Sequence, residues 1–130
     1  MPRWEDYKAH ARERGALAHE LYVSISTPCA EPDAVKECLP RHLAYQAELE
    51  AAGKLAFAGP LSDESGEQMN GTGMVVYRAE SLESAREMAE ADPMHQEGVR
   101  SFVLRRWLIN EGSLTLSVRL SGQSVALGES

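Results

Sequence analysis

The chain has 130 residues, of which 43% are hydrophobic, enough for one domain with a modest core. A formal net charge of −7 excludes electrostatic binding to nucleic acid or to anionic lipid, both of which need clustered Lys and Arg; Arg12/Arg14 and Arg105/Arg106 are pairs and not tracts. No apolar run is long enough to span a bilayer, and the charged start MPRWEDYKAHARERG lacks the apolar segment of a secretory signal, so a cytoplasmic protein is expected. Cys29 and Cys38 have no CxxC spacing and read as free thiols.

Residues 3–15 predict an amphipathic helix with Trp4, Tyr7 and Ala11 on one side and Gly15 as its stop, an N-terminal extension packed on the domain or on a partner. Residues 20–27 then alternate, Leu21, Val23 and Ile25 against Tyr22, Ser24 and Ser26, as a strand does. A helix follows from about Asp33 to Gly53, kinked or restarted at Pro40. Residues 55–61 form a second strand that bends at Gly59-Pro60, because Pro cannot donate to a ladder. The polar segment SDESGEQMNGTG is a loop, and residues 73–79 a third strand. Ser81 is the N-cap of a helix whose Leu82, Ala85, Met88 and Ala89 repeat at helical spacing and which stops before Pro93. An irregular turn, a fourth strand over 102–109 and a fifth over 114–120 complete the chain.

This order is the split βαβ arrangement called ferredoxin-like, βαββαβ, an α+β fold. Two helices cover one face of such a sheet, so the other face, also apolar here, calls for a second sheet in a symmetric dimer. The extra C-terminal strand would seal an edge or cross to the partner. The expected organisation is an N-terminal helical extension (1–19), the ferredoxin-like domain (20–110) and a C-terminal strand extension (111–130).

On a helical wheel Leu39, His42, Gln46, Leu49 and Gly53 share one face, with Leu43 at its margin, which sets a histidine in the stripe meeting the core. Alone, His42 reads as a neutral histidine satisfied by a backbone carbonyl. Asp92 falls on the Leu82/Ala85/Ala89 side at a helix C-terminus, where the macrodipole opposes an acid, or else it simply opens a turn with Pro93. With the first and third strands taken as parallel, both residues lie about 15 Å along helices running the same way. A His–Asp hydrogen bond would fix the ring tautomer and present the other nitrogen as a base. No activated Ser or Cys is evident, which favours proton abstraction with elimination or isomerisation over acyl transfer. Gly59, Pro60, Arg78 and Ser101 are candidates to bind substrate or stabilise an oxyanion. His42, Asp92 and His95 lack metal-ligand spacing, and no metal is expected. A non-catalytic dimer that binds a small ligand is the alternative.

RHLAYQAELEAAGKLAFAGPL, followed by GMVVYRAESLESAREMAEADPMHQEGVRSFVLRRWLIN, resembles the YciI-like family of small dimeric α+β barrel proteins over residues 20–110. Its most specific pieces are the helix histidine, the AGPL strand end, and the ADP followed by a Gly and the final strand's Trp. The resemblance implies a homodimer or higher homo-oligomer and a site built on His42 and Asp92. It also implies cofactor-free elimination on a small-molecule substrate, such as dehydrochlorination of a chlorinated hydroxyquinol.

Overall fold

The computed structural model describes residues 1–128, so the last two residues of the expected C-terminal extension lie outside it. Two compact units divide the chain: residues 20–107, and residues 1–19 together with the chain from 108 onward.

In the larger unit β1 (His19–Pro28), α2 (Pro32–Ala51), β2 (Leu55–Pro60), β3 (Gly73–Tyr77), α3 (Leu82–Ala91), a short α4 (Pro93–Gln96) and β4 (Arg100–Ile109) build a four-stranded sheet in the order β2-β3-β1-β4. This is the ferredoxin-like α+β fold. Strand parity decides what each face holds. Tyr22 pairs with Tyr77 and Ser24 with Val75, and Tyr22, Val75 and Tyr77 meet Leu49 of α2 and Ala85 and Ala89 of α3 in one core. Phe102 and Leu104 of β4 pack at its margin.

β1 and β3 pair antiparallel, as do β2 and β3. The expected parallel relation of the first and third strands is therefore wrong. A strand between β1 and β2 must run opposite to both, so the helices after β1 and β3 also run in opposite directions.

α2 passes through Pro40 without restarting. The missing N–H leaves only the carbonyl of Lys36, an exposed residue, without a helical partner. Gly53 ends α2 with φ +75°, a conformation that favours glycine. Ser81 caps α3 by accepting from the Ser84 N–H at 3.0 Å. The segment after Pro93, expected as an irregular turn, forms α4 because Asp92 caps it and Pro93 presets its first dihedral.

On the face away from the helices Leu21, Val23 and Val76 are already buried within the single chain, so the expectation of a wholly uncovered face is corrected; Phe57, Val103 and Trp107 are exposed there.

In the smaller unit α1 (Trp4–Glu13) stacks Trp4 on Tyr7, and the Leu17 N–H donates to the Asn110 carbonyl at 3.1 Å. The single C-terminal strand expected over 114–120 is instead two, β5 (Leu116–Arg119) and β6 (Ser124–Leu127), paired with each other in a separate sheet. Gln123 adopts φ +47° beside Gly122, which lets the chain reverse and sets Leu116 opposite Leu127 and Val118 opposite Val125.

Candidate active site

His42 lies ten residues from the start of α2 and nine from its end, about 15 and 13.5 Å, and Asp92 lies about 15 Å beyond the start of α3. For helices running in opposite directions the two heights still agree, because His42 is close to the midpoint of α2. One turn further along α2 the Tyr45 hydroxyl donates to the Met88 carbonyl at 2.7 Å, the step back along α3 that antiparallel helices require.

His42 Nδ1 is 2.8 Å from Asp92 Oδ2 and 2.9 Å from Oδ1. A carboxylate only accepts, so Nδ1–H donates, and in the neutral ring Nε2 keeps its lone pair. The Asp92 side chain is 2% exposed and that of His42 18%. Asp92 Oδ1 also accepts from the Met94 N–H at 2.9 Å. The macrodipole of α3 disfavours an acid at this position, but the first turn of α4 accepts one as its cap. The turn-forming and histidine-binding readings of Asp92 are thus both geometrically satisfied, and His42 is bonded to this carboxylate, not to a backbone carbonyl.

Both side chains line a cavity of about 1130 Å³. Leu39 and Leu43 of α2 face it and are exposed, so the stripe expected to meet the core is split: Leu49 is buried, while Leu39, His42 and Gln46 form cavity wall, and Cys38, outside that stripe, is buried. Gly59 and Pro60 also line it. Arg78 and Ser101 are not among the lining residues: Arg78 Nη1 donates to the Leu55 carbonyl at 3.1 Å, and Ser101 Oγ is 3.3 Å from Thr27 Oγ1, both at exposed positions.

Ser26, His95 and Arg100 supply a second polar arm of the same cavity. His95 Nδ1 is 2.7 Å from the Ala89 carbonyl, which can only accept, so Nδ1 carries a proton, and in the neutral ring Nε2 accepts from Ser26 Oγ at 2.8 Å. Ser26 Oγ in turn accepts from Arg100 Nε at 2.9 Å. Arg100 Nη2 donates to the carbonyls of Ser26, at 2.9 Å, and of Gly71. The Phe102 ring lies 4.6 Å from the His95 ring. Desolvation pushes the Arg100 guanidinium below its usual range, against the attraction of Asp92. Burial and then the Asp92 charge push the Tyr45 and Tyr77 phenols up. Among the described residues no three His, Cys, Asp or Glu side chains are grouped to hold a metal ion.

Sequence reasoning missed Ser26 and Arg100. The available signal was parity: Arg100 shares the side of Phe102 and Leu104, whereas Ser101 shares that of Val103.

Fold and site together define a small α+β protein with an open cavity whose wall carries a carboxylate-bonded histidine. A model of the YCII-related domain matches residues 20–108, and the chain belongs to that family. It is 30% identical over 76 residues to the uncharacterized protein YjpA of Bacillus subtilis (strain 168), an alignment covering 58% of this chain and 82% of that protein. Among solved structures it is similar to 5-chloro-2-hydroxyhydroquinone dehydrochlorinase from Burkholderia phenoliruptrix AC1100, solved in complex with 2,5-dihydroxybenzoquinone, at 20% identity and a TM-score of 0.49 over 67% of this chain and 92% of that one. No helix among the described residues is long and apolar enough to cross a membrane.

Proposed function

We propose that the protein is a cofactor-free enzyme in which His42 is the general base and Asp92 the residue that positions it. It abstracts a proton from a small cyclic or aromatic metabolite and carries it through elimination or isomerisation. The observation that carries this reading is the 2.8 Å hydrogen bond from His42 Nδ1 to a buried carboxylate on the wall of a substrate-sized cavity. With Nδ1–H held by Asp92, Nε2 takes a proton from a ring carbon, and the imidazolium so formed lies against a negative charge. The electron pair of the broken C–H bond becomes the new double bond while the leaving group departs with its own pair, or it re-forms a C–H bond elsewhere on the ring. Gly59 and Pro60 shape the wall beside the reacting ring. The family relationship and the dehydrochlorinase named above make a chlorinated hydroxy-ring compound the first substrate to try.

The ferredoxin-like domain is taken to carry this chemistry, with residues 1–19 and 111–130 as extensions. It works as a homodimer or higher homo-oligomer through the exposed Phe57, Val103 and Trp107. It works in the cytoplasm, where Cys29 and Cys38 remain free thiols. The test is a panel of enolisable and chlorinated hydroxy-ring compounds followed for chloride release and for deuterium uptake from heavy water. At least one should react, and His42→Gln should slow it about 100-fold or more, the usual contribution of a general base. Equal rates for the native protein and the variant would overturn the assignment.

A further inference from the structure

Among the described residues Arg100 has no bonded counter-ion. Of the five N–H donors of a guanidinium, three are taken, Nε by Ser26 Oγ and the two on Nη2 by the carbonyls of Ser26 and Gly71. All three acceptors are neutral. The two N–H groups of Nη1 have no partner among the described residues, and the side chain lines the cavity that holds His42. Asp92 is near enough to attract the guanidinium, but its oxygens are committed to His42 and to the Met94 N–H. Glu31 and Lys36 on the same wall are exposed and opposite in sign. Desolvating a cation with only neutral partners is costly unless an anion completes the site.

The guanidinium is also held in place before any ligand arrives. With His95 Nδ1–H held on the Ala89 carbonyl, Nε2 of the neutral ring accepts from Ser26, which orients the Ser26 lone pair towards Arg100 Nε. Gly71 carries φ +95°, and a Cβ there would meet Pro28 Cγ at 2.8 Å, so a glycine is needed to aim this carbonyl at Arg100. A guanidinium held through Nε and Nη2 leaves the Nη1 N–H groups to donate a charge-assisted hydrogen bond to an oxyanion.

We propose that Arg100, braced by Ser26, His95 and Gly71, is an anion subsite that receives the carboxylate or ring oxyanion of the substrate, so that the enzyme selects anionic ring compounds over neutral ones. The assignment rests on reading the cavity as the substrate site but not on the chemistry of His42.

The test is an NMR and calorimetric titration of the full chain at low salt with benzoate and with its neutral analogue benzamide. Benzoate should bind at least about tenfold more tightly, as expected of a charge-assisted hydrogen bond, and should shift the Arg100 guanidinium resonances of the native protein. Arg100→Met should bring the two ligands to within about threefold, while His42→Gln, which tests the catalytic reading, should retain the preference. Equal binding of the two ligands, no binding of either, native guanidinium resonances that benzoate leaves in place, or a preference undiminished in Arg100→Met would each overturn the subsite. The resonance measurement uses the native chain and so decides the matter even if the variant folds poorly.

Discussion

Replacing Asp92 by alanine and by asparagine separates its two bonds. Alanine removes the acceptor of both the His42 Nδ1–H and the Met94 N–H. Hydrogen bonds to a charged group are worth about 1.5–3 kcal/mol each. The Met94 N–H is buried and loses the full amount, whereas water can reach the partly exposed His42 ring and recover about half of its loss. The expected cost is about 3 kcal/mol, or roughly 10–15 °C in Tm for a chain of this size. Asparagine keeps an oxygen for Met94 but offers the imidazole an NH₂ in place of the second oxygen. The neutral ring then re-pairs by accepting at Nδ1, which moves its proton to Nε2. Asp92→Asn is expected to cost only about 1 kcal/mol, yet to turn the cavity-facing nitrogen from a base into a donor. Urea unfolding measures the first quantity. Long-range nitrogen–proton correlation of the His42 ring, at a pH where it is neutral, reads the second: Nδ1–H in the native protein, Nε2–H in the asparagine variant. An Asp92→Asn ring that keeps Nδ1–H, or an Asp92→Ala protein within about 0.5 kcal/mol of native, would refute the reasoning.

Tyr77 OH is buried with no hydrogen-bond partner among the described residues, so Tyr77→Phe should be neutral or stabilising by up to about 1 kcal/mol, while Tyr45→Phe, which loses the bond to Met88, should cost about 1 kcal/mol; urea unfolding of both variants checks the contrast. Both phenols are pushed up in the folded state, so above about pH 10 the unfolded chain releases protons that the native one retains, and stability should fall as pH rises from there through the folded values. The double Tyr→Phe variant should flatten that slope, and a native slope of the opposite sign would contradict it. Gly71→Ala should destabilise by about 1–3 kcal/mol in thermal unfolding, because an L side chain at φ +95° is strained and its Cβ collides with Pro28; an unchanged Tm would show that the loop yields. Val103→Glu with Trp107→Glu should shift sedimentation towards monomer if the exposed sheet face is the contact between copies, and an unaltered mass would remove that face from consideration.

What was legible in the sequence was what local periodicity and capping decide. The alternation of Tyr22, Ser24 and Ser26 against Leu21, Val23 and Ile25 marks β1, and Ser81 and Pro93 bracket α3. The relative direction of β1 and β3 was not legible from any one segment: the wrong relation still led to the right height for His42 because a residue near a helix midpoint is equidistant from both ends. Leu39 was assigned to the core because a helical wheel finds an apolar stripe but does not distinguish a cavity wall from packed protein. α4 is four residues long, too short for periodicity, and only its cap announces it. Arg100 was missed because the first residue of β4 is set by pairing with a distant strand, and one step of parity separates it from Ser101, the serine named in its place.

The two polar arms of the cavity meet in α4. Its cap is the carboxylate that holds His42, and its third residue is the histidine that orients Ser26 towards Arg100. The Asp92 carbonyl accepts from the His95 N–H at 2.9 Å, so one helical turn links the anchor of His42 to the anchor of Arg100. Outside, Arg41 of α2 reaches Glu97 at the end of α4 at 2.7 Å. That pair is exposed and contributes little stability, but it lies one residue before His42 on the same helix, so any tilt of α4 against α2 is opposed at both of its ends. In the proposed mechanism His42 and Arg100 act on one substrate, which calls for a defined separation between them. Short, doubly anchored α4 meets that requirement better than a loop of the same length, whose backbone would be free to change the separation.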